Sequence, residues 1–191
     1  MSVHAGPKIS ASGISMSIDA ANIKSYSRSG TTLSDVSTNG NHGSASGVTF
    51  SESAMTFNGT SSYVSIPNTL SMRPASEMTV SMWARASSIT TGWCNLLGQN
   101  PYSGGYLVFL ETGGTYIRAL HYVGGVEYRC STTEPILTTN YKHIVFTFKT
   151  GDAIRSYFNG VASTTVSIPS GSFTYNTSNP FLMGSGAGAV S

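Results

Sequence analysis

The chain has 191 residues with a net charge of +2, and only 9% of them are charged. That length suits one domain with a sizeable core. The near-neutral balance, without any Lys/Arg cluster, gives no case for nucleic acid, and no apolar run of about 18 residues is present to span a membrane. Ser, Thr, Asn and Gly supply the polarity instead. Such a surface suits a shell, a fibre or an extracellular module.

Residues 1–11 read as a polar arm that docks on a neighbour. The opening MSVHAGPKISASG lacks the apolar core of a signal peptide. A polar, weakly charged surface without a secretion signal suggests assembly inside a cell before release, as in a virus particle. Ile14 to Ile18 alternates Ile, Met and Ile and is expected as a strand. Asp19 to Ser37 reads as a long loop, and Asn39-Gly40-Asn41-His42-Gly43 as a turn cluster. Val48 to Phe50 is a short strand. Met55 to Phe57 and Tyr63 to Ile66 flank Asn58-Gly59-Thr60-Ser61 and are expected to pair as a hairpin. Glu77 to Ala86 is a strand with Val80, Met82 and Ala84 on one face and Thr79, Ser81, Trp83 and Arg85 on the other.

Ser87 to Cys94 is expected as a loop carrying Trp93, followed by a short strand at Asn95 to Gly98. Asn100 to Gly105 is a turn with Tyr102 near its tip. Tyr106 to Leu110, Thr115 to Tyr122 and Val126 to Ser131 form a meander through Gly-Gly turns. In that register Cys130 faces Arg118, then Val108, then Leu96. Cys94 then lies about three strand spacings away, roughly 14 Å. A disulfide tolerates about 7 Å between Cα atoms, so two free thiols are expected.

Pro135 argues against a central strand at Thr132 to Asn140. Tyr141 to Val166 holds two hairpins sharing a strand. Ile144, Phe146 and Phe148 alternate with His143, Val145, Thr147 and Lys149, and Asn159-Gly160 is a strong hairpin turn. Pro180 to Met183 is the last strand, and GSGAGAVS is a tail that is mobile or packed on something else. About a dozen short strands at regular spacing predict an all-β antiparallel sandwich or jelly roll with very little helix. The organisation expected is an arm at 1–11 and a single domain at 12–191.

Six segments in order, SMSIDAANIKSY, LSDVSTNGNHG, MTFNGTSSYVSIP, MTVSMWARA, KHIVFTFKTGD and SYFNGV, resemble the concanavalin A-like or laminin G-like jelly-roll superfamily. The opening Asp19-Ala20-Ala21-Asn22 and the Ser37-Thr38-Asn39-Gly40-Asn41 loop resemble the versions in bacteriophage structural proteins. The resemblance implies domains that decorate heads, tails or fibres and touch host-surface glycans. Members of the superfamily continue after a segment like Pro180 to Gly184 with another strand, which this sequence lacks. Either the sequence is truncated, or a partner or the arm completes the sheet.

Catalytic and metal patterns are weak. Glucanases of the superfamily are expected to alternate carboxylates on one strand. Here no two of Asp19, Asp35, Glu52, Glu77, Glu111, Glu127, Glu134 and Asp152 are two or four residues apart. Asp35 to Gly40 resembles the start of a calcium loop, but position 12 is Ser46, and Asx-turns explain the composition. The histidines and cysteines lack ligand spacing, so neither zinc nor any cofactor is expected. His143 reads as a packed, hydrogen-bonded histidine. Phe57, Trp83, Phe146, Phe148, Phe158 and Phe181 read as core. Trp93 and Tyr102, with Tyr122 and Tyr128 beside the Gly124-Gly125 turn, are the candidates for sugar stacking or interface anchoring.

The reading is therefore a non-enzymatic virion structural or decoration protein of a bacteriophage, acting through self-association and attachment to surface glycans. Its expected partners are copies of itself or capsid and tail proteins. The alternatives are a carbohydrate-binding adhesion module of a cellular protein, extracellular or on the cell surface, and a divergent glucanase.

Overall fold

The computed structural model describes residues 12–51, 53–88, 92–99, 104–111 and 115–185. The expected arm at 1–11 and the last six residues of the tail lie outside these. The larger sheet has eight strands. It begins with β1 (Thr32–Leu33), β2 (Gly43–Ser46) and β5 (Tyr63–Ile66), continues through β14 (Phe181–Met183), and ends in the meander β7 (Trp93–Gly98), β8 (Tyr106–Glu111), β9 (Tyr116–Val123) and β10 (Val126–Pro135). The smaller sheet has four strands, in the order β13 (Val161–Ser167), β12 (Ala153–Phe158), β11 (Lys142–Lys149) and β6 (Glu77–Ala84). A two-stranded ribbon, β3 (Thr49–Phe50) and β4 (Met55–Thr56), stands apart. Every paired strand is antiparallel, which makes the chain an all-β jelly-roll sandwich.

The core follows from the period of two. Ile144, Phe146 and Phe148 are at most 1% exposed, and they pack with Val80, Ile154, Val64, Ile66, Val108, Ile117 and Phe181 from both sheets. Burying each such side chain contributes about 1.5–3 kcal/mol. Asn159 and Gly160 take positive φ angles of 50° and 81°, as a two-residue hairpin turn requires.

Two sheet edges are closed by hydroxyl groups. The Thr133 amide donates to Ser163 Oγ, and Thr164 Oγ1 donates to the Ser131 carbonyl. Ser156 Oγ accepts from the Thr164 amide, and Ser163 Oγ donates to Glu134. Side chains thereby bridge β10 to β13, so these two edges are shielded from pairing with another chain.

A second polar knot replaces the strand expected at Ile14 to Ile18. Buried Asp35 accepts hydrogen bonds from the amides of Ser17, Ser37 and Asn41 and from Ser37 Oγ. Asn41, also buried, donates to the Ser15 carbonyl and to Ser71 Oγ. With the Ser17 amide and the Ile14 and Ser15 carbonyls taken by side chains, the 14–18 segment forms no strand ladder. This is the Asx-turn reading of the Asp35 loop, and its oxygens bind the protein itself. Burial alone would raise the Asp35 pKa, but the hydrogen bonds from Ser37, Ser17 and Asn41 outweigh it and hold the carboxyl below its ordinary value.

The third polar feature is His121. It is fully buried, stacked on Phe173 at 3.8 Å and edge-on to Phe148 and Tyr175. Nδ1 accepts from the Tyr122 amide at 2.7 Å. Nε2 therefore carries the proton, donating toward Tyr175 Oη at 3.2 Å, and Tyr175 donates to the Pro74 carbonyl at 2.8 Å. Desolvation holds this imidazole neutral, with its pKa down at about 3.

Other expectations are corrected. Met55–Thr56 pairs with β3 rather than with Tyr63–Ile66, because Asn58 Oδ1 gathers the amides of Thr60, Ser61 and Ser62 into a tight loop. The meander register is one residue off. Val123 pairs with Val126, so Cys130 faces Ala119 rather than Arg118, and an irregularity at Leu96 puts Leu97 opposite Val108. Both cysteines are free, as expected. β10 runs on to Pro135, which an edge strand tolerates.

The buried imidazole and the buried carboxylate set the acid response. His121 takes up a proton near 6.5 when unfolded but near 3 when folded. The unfolded chain thus binds more protons between those values, and stability falls as the pH drops through that window. Asp35 is depressed below 3.8, so its contribution is present above that value and lost as the pH falls further. Urea midpoints should decline steadily between about pH 7 and pH 3. His121→Phe should flatten the decline above about pH 4, and Asp35→Asn the part below it. An undiminished slope in His121→Phe would contradict the assignment.

Candidate functional site: an aromatic platform on the smaller sheet

β6 is aligned with β11 by eight pairs from Lys142↔Ala84 to Lys149↔Glu77. With Val80 and Met82 turned to the core, Trp83 must face outward. It does, at 68% exposure. Its neighbour across the ladder is His143, whose ring stacks on the indole at 5.1 Å with a 27° tilt. Ser81 Oγ sits 2.9 Å from His143 Nε2 and anchors the imidazole. The Asn159 side chain accepts from the His143 amide at 3.0 Å. Two residues beyond Trp83, the Arg85 guanidinium lies 5.0 Å from the centre of the Tyr141 ring and donates to the Thr139 carbonyl. Tyr141 is 43% exposed. Two stacked pairs therefore stand side by side at one end of the sheet. This site was not expected. The alternation puts Trp83 on the outer side, but aromatic residues are mostly core, and from sequence it reads as one of them. Its outward position, opposite a histidine, was the available signal.

The residues expected at the site sit elsewhere. Trp93 is not on a loop but opens β7, on the outer face of the larger sheet. It covers a satellite cluster of Leu107, Phe109 and Leu120, each 0% exposed. Its indole stacks on Phe109 at 4.7 Å, and the Arg129 guanidinium lies over it at 5.4 Å. The stacking surface is thus already engaged. Tyr122 packs on the same cluster and donates to Glu127 at 2.9 Å, and Glu127 also pairs with Arg129. Burial, then the bond to Glu127, pushes the Tyr122 hydroxyl up to about 12. Tyr128 turns the other way and packs against the main core, because Tyr122 faces Glu127 and the next pair points inward. Tyr102 lies outside the described residues. The structure brings Trp93 and Tyr122 together and separates Tyr128 from them.

Six of the carboxylates have partners among the described residues. Asp19 and Asp35 hold turns, Glu77 pairs with Lys149, Glu127 with Arg129, Asp152 with Arg155, and Glu134 accepts from Ser163. Among the described residues no group of three or more His, Cys, Asp or Glu stands ready for a metal. No helix among them is long and apolar enough to cross a membrane.

Residues 58–191 match the laminin G-type family described as the concanavalin A-like lectin/glucanases superfamily, and the chain belongs to it. Comparison with curated proteins finds no match. Three similar solved structures are bacterial toxin domains. The binding domain of Paraclostridial Mosquitocidal Protein 1 is 18% identical, with a TM-score of 0.65 over 80% of this chain and 41% of that one. The botulinum neurotoxin serotype G binding domain is 14% identical, with a TM-score of 0.60 over 78% and 43%. The botulinum neurotoxin serotype D ligand binding domain, in complex with N-acetylneuraminic acid, is 12% identical, with a TM-score of 0.61 over 80% and 40%. The chain spans about two fifths of each of these structures. At such identities the likeness is one of fold.

These matches correct the expectation of a bacteriophage virion, capsid-decoration or structural protein. The similar structures are binding domains of bacterial toxins.

The chain holds only two tryptophans, so each sheet face carries its own reporter. In Trp93→Phe the remaining Trp83 should emit at long wavelength and be readily quenched by acrylamide. In Trp83→Phe the remaining Trp93 should emit further to the blue and be quenched several-fold less. Equal quenching in the two variants would contradict the exposures described.

Proposed function

We propose that this member of the concanavalin A-like lectin superfamily is a carbohydrate-recognition module that attaches its carrier to a glycan-bearing surface. Residues 12–191 act as one jelly-roll unit, extracellular or on a cell surface. The observation that carries the reading is Trp83. An indole this exposed is an unusual surface residue unless something docks on it, and here His143 holds it flat from one side. A pyranose ring presents apolar C–H groups to such a plane and hydroxyls to its rim. The rim here offers Ser81, Tyr141 and the Asn159 amide, with few charges to desolvate. The similar toxin structures, described as binding, receptor-binding and ligand-binding domains, support a role in recognition.

Binding to a glycan microarray tests the reading. The wild-type chain should bind a defined subset of glycans. Trp83→Ala should weaken that binding by about tenfold or more while changing stability by less than about 1 kcal/mol. Loss of binding in Trp93→Ala, with Trp83→Ala unaffected, would move the site to the other sheet.

A further inference from the structure

The outer face of the smaller sheet has an uneven charge distribution. At one end Glu77 pairs with Lys149 at 3.2 Å, and Asp152 makes two hydrogen bonds to Arg155 at 2.7 and 2.9 Å. Those acids and bases cancel locally. Glu134 is held on Ser163 at the far edge, on the β13 side. The Trp83 end is different. It holds Arg85, which has no carboxylate partner among the described residues. Arg85 donates from Nη1 to the Thr139 carbonyl and lies on the Tyr141 ring, which fixes its plane.

Trp83 and Arg85 are two residues apart on the same face, about 7 Å along the strand. The indole offers a stacking plane and the guanidinium an oriented fork suited to a carboxylate. We propose that the Trp83 platform takes an acidic saccharide, its pyranose ring stacked on Trp83 and its carboxylate bound by Arg85. This rests on the carbohydrate reading of the same platform and adds the ligand class. Tyr141 holds the guanidinium through its ring face and does not consume its hydrogen-bond donors. The Arg85 charge raises the local concentration of anionic ligands at low salt.

The test uses the full chain carrying Trp93→Phe, so that Trp83 is the sole tryptophan reporter. Two matched sugar pairs are titrated at low salt: methyl galacturonide against methyl galactoside, and 3′-sialyllactose against lactose. Each acid should bind about tenfold or more tightly than its neutral counterpart. Adding salt should narrow the gap. Arg85→Gln should bring the affinity for each acid down to that of its neutral counterpart measured on the same variant. Arg85→Lys should fall between, because it keeps the charge and loses the fork. Equal affinity for acid and neutral sugars, or an acid preference that survives Arg85→Gln, would overturn the inference while leaving the carbohydrate reading standing. Silence toward all four sugars, together with a glycan array that also stays blank, would sink both.

Discussion

The structure depends on the pairing of β6 with β11. Ile144, Phe146 and Phe148 form one buried row on β11, and Val80 and Met82 continue it on β6. Each of those side chains gains a few kcal/mol from burial. A slip of one residue would expose the whole row and bury Trp83, His143 and Thr147 in its place. The difference amounts to several such contributions, so the register has no close competitor. The outward Trp83 is thus a consequence of core packing. The Trp83–His143 pair at the centre of the platform is held by the same constraint that holds the domain together.

The rest of the molecule uses few charges and many neutral hydrogen bonds. Serine and threonine hydroxyls bridge β10 to β13. The buried pair Asp35 and Asn41 ties the segment at 14–18 to the loops at 35–41 and 69–71. Asn68 and Gln99 both donate to the carbonyls of Asn176 and Asn179, which fastens that turn to β7. Because charge is scarce, its placement stands out. Most acids sit beside a base or inside a turn. Arg129 closes over Trp93 and binds Glu127, so the larger sheet's aromatic group serves its own packing. Arg85, at the open end of the smaller sheet, stands beside Trp83, the most exposed aromatic ring among the described residues.

The fold was largely legible in the sequence. Alternation from Ile144 to Phe148 and the Asn159-Gly160 turn are local signals, and both strands and turn formed where they pointed. The free cysteines follow from strand spacing even with the register off by one, since three strand spacings separate them in either register. Segments whose partners are side chains were not legible. Ile14 to Ile18 has a strand's alternation, yet the Ser17 amide and the Ile14 and Ser15 carbonyls go to the side chains of Asp35, Asn39 and Asn41. Nothing in a local pattern announces such long-range bonds. The site was misjudged for a related reason. Trp93 stands in a polar stretch that reads as a loop, and only the pairing of β7 with β8 reveals Phe109 beneath it. Trp83 was placed on the correct face and then assigned to the core by the general habit of aromatic residues.

The likeness to toxin binding domains is one of architecture, and a jelly roll hosts many activities. Recognition must therefore be located on this chain's own residues, and its two indole N–H groups make that direct. In a ¹H–¹⁵N spectrum, titration with a glycan that binds on the array should shift the Trp83 indole signal and the His143 amide, while the Trp93 indole stays in place. A shift of the Trp93 indole with Trp83 unmoved would contradict the account.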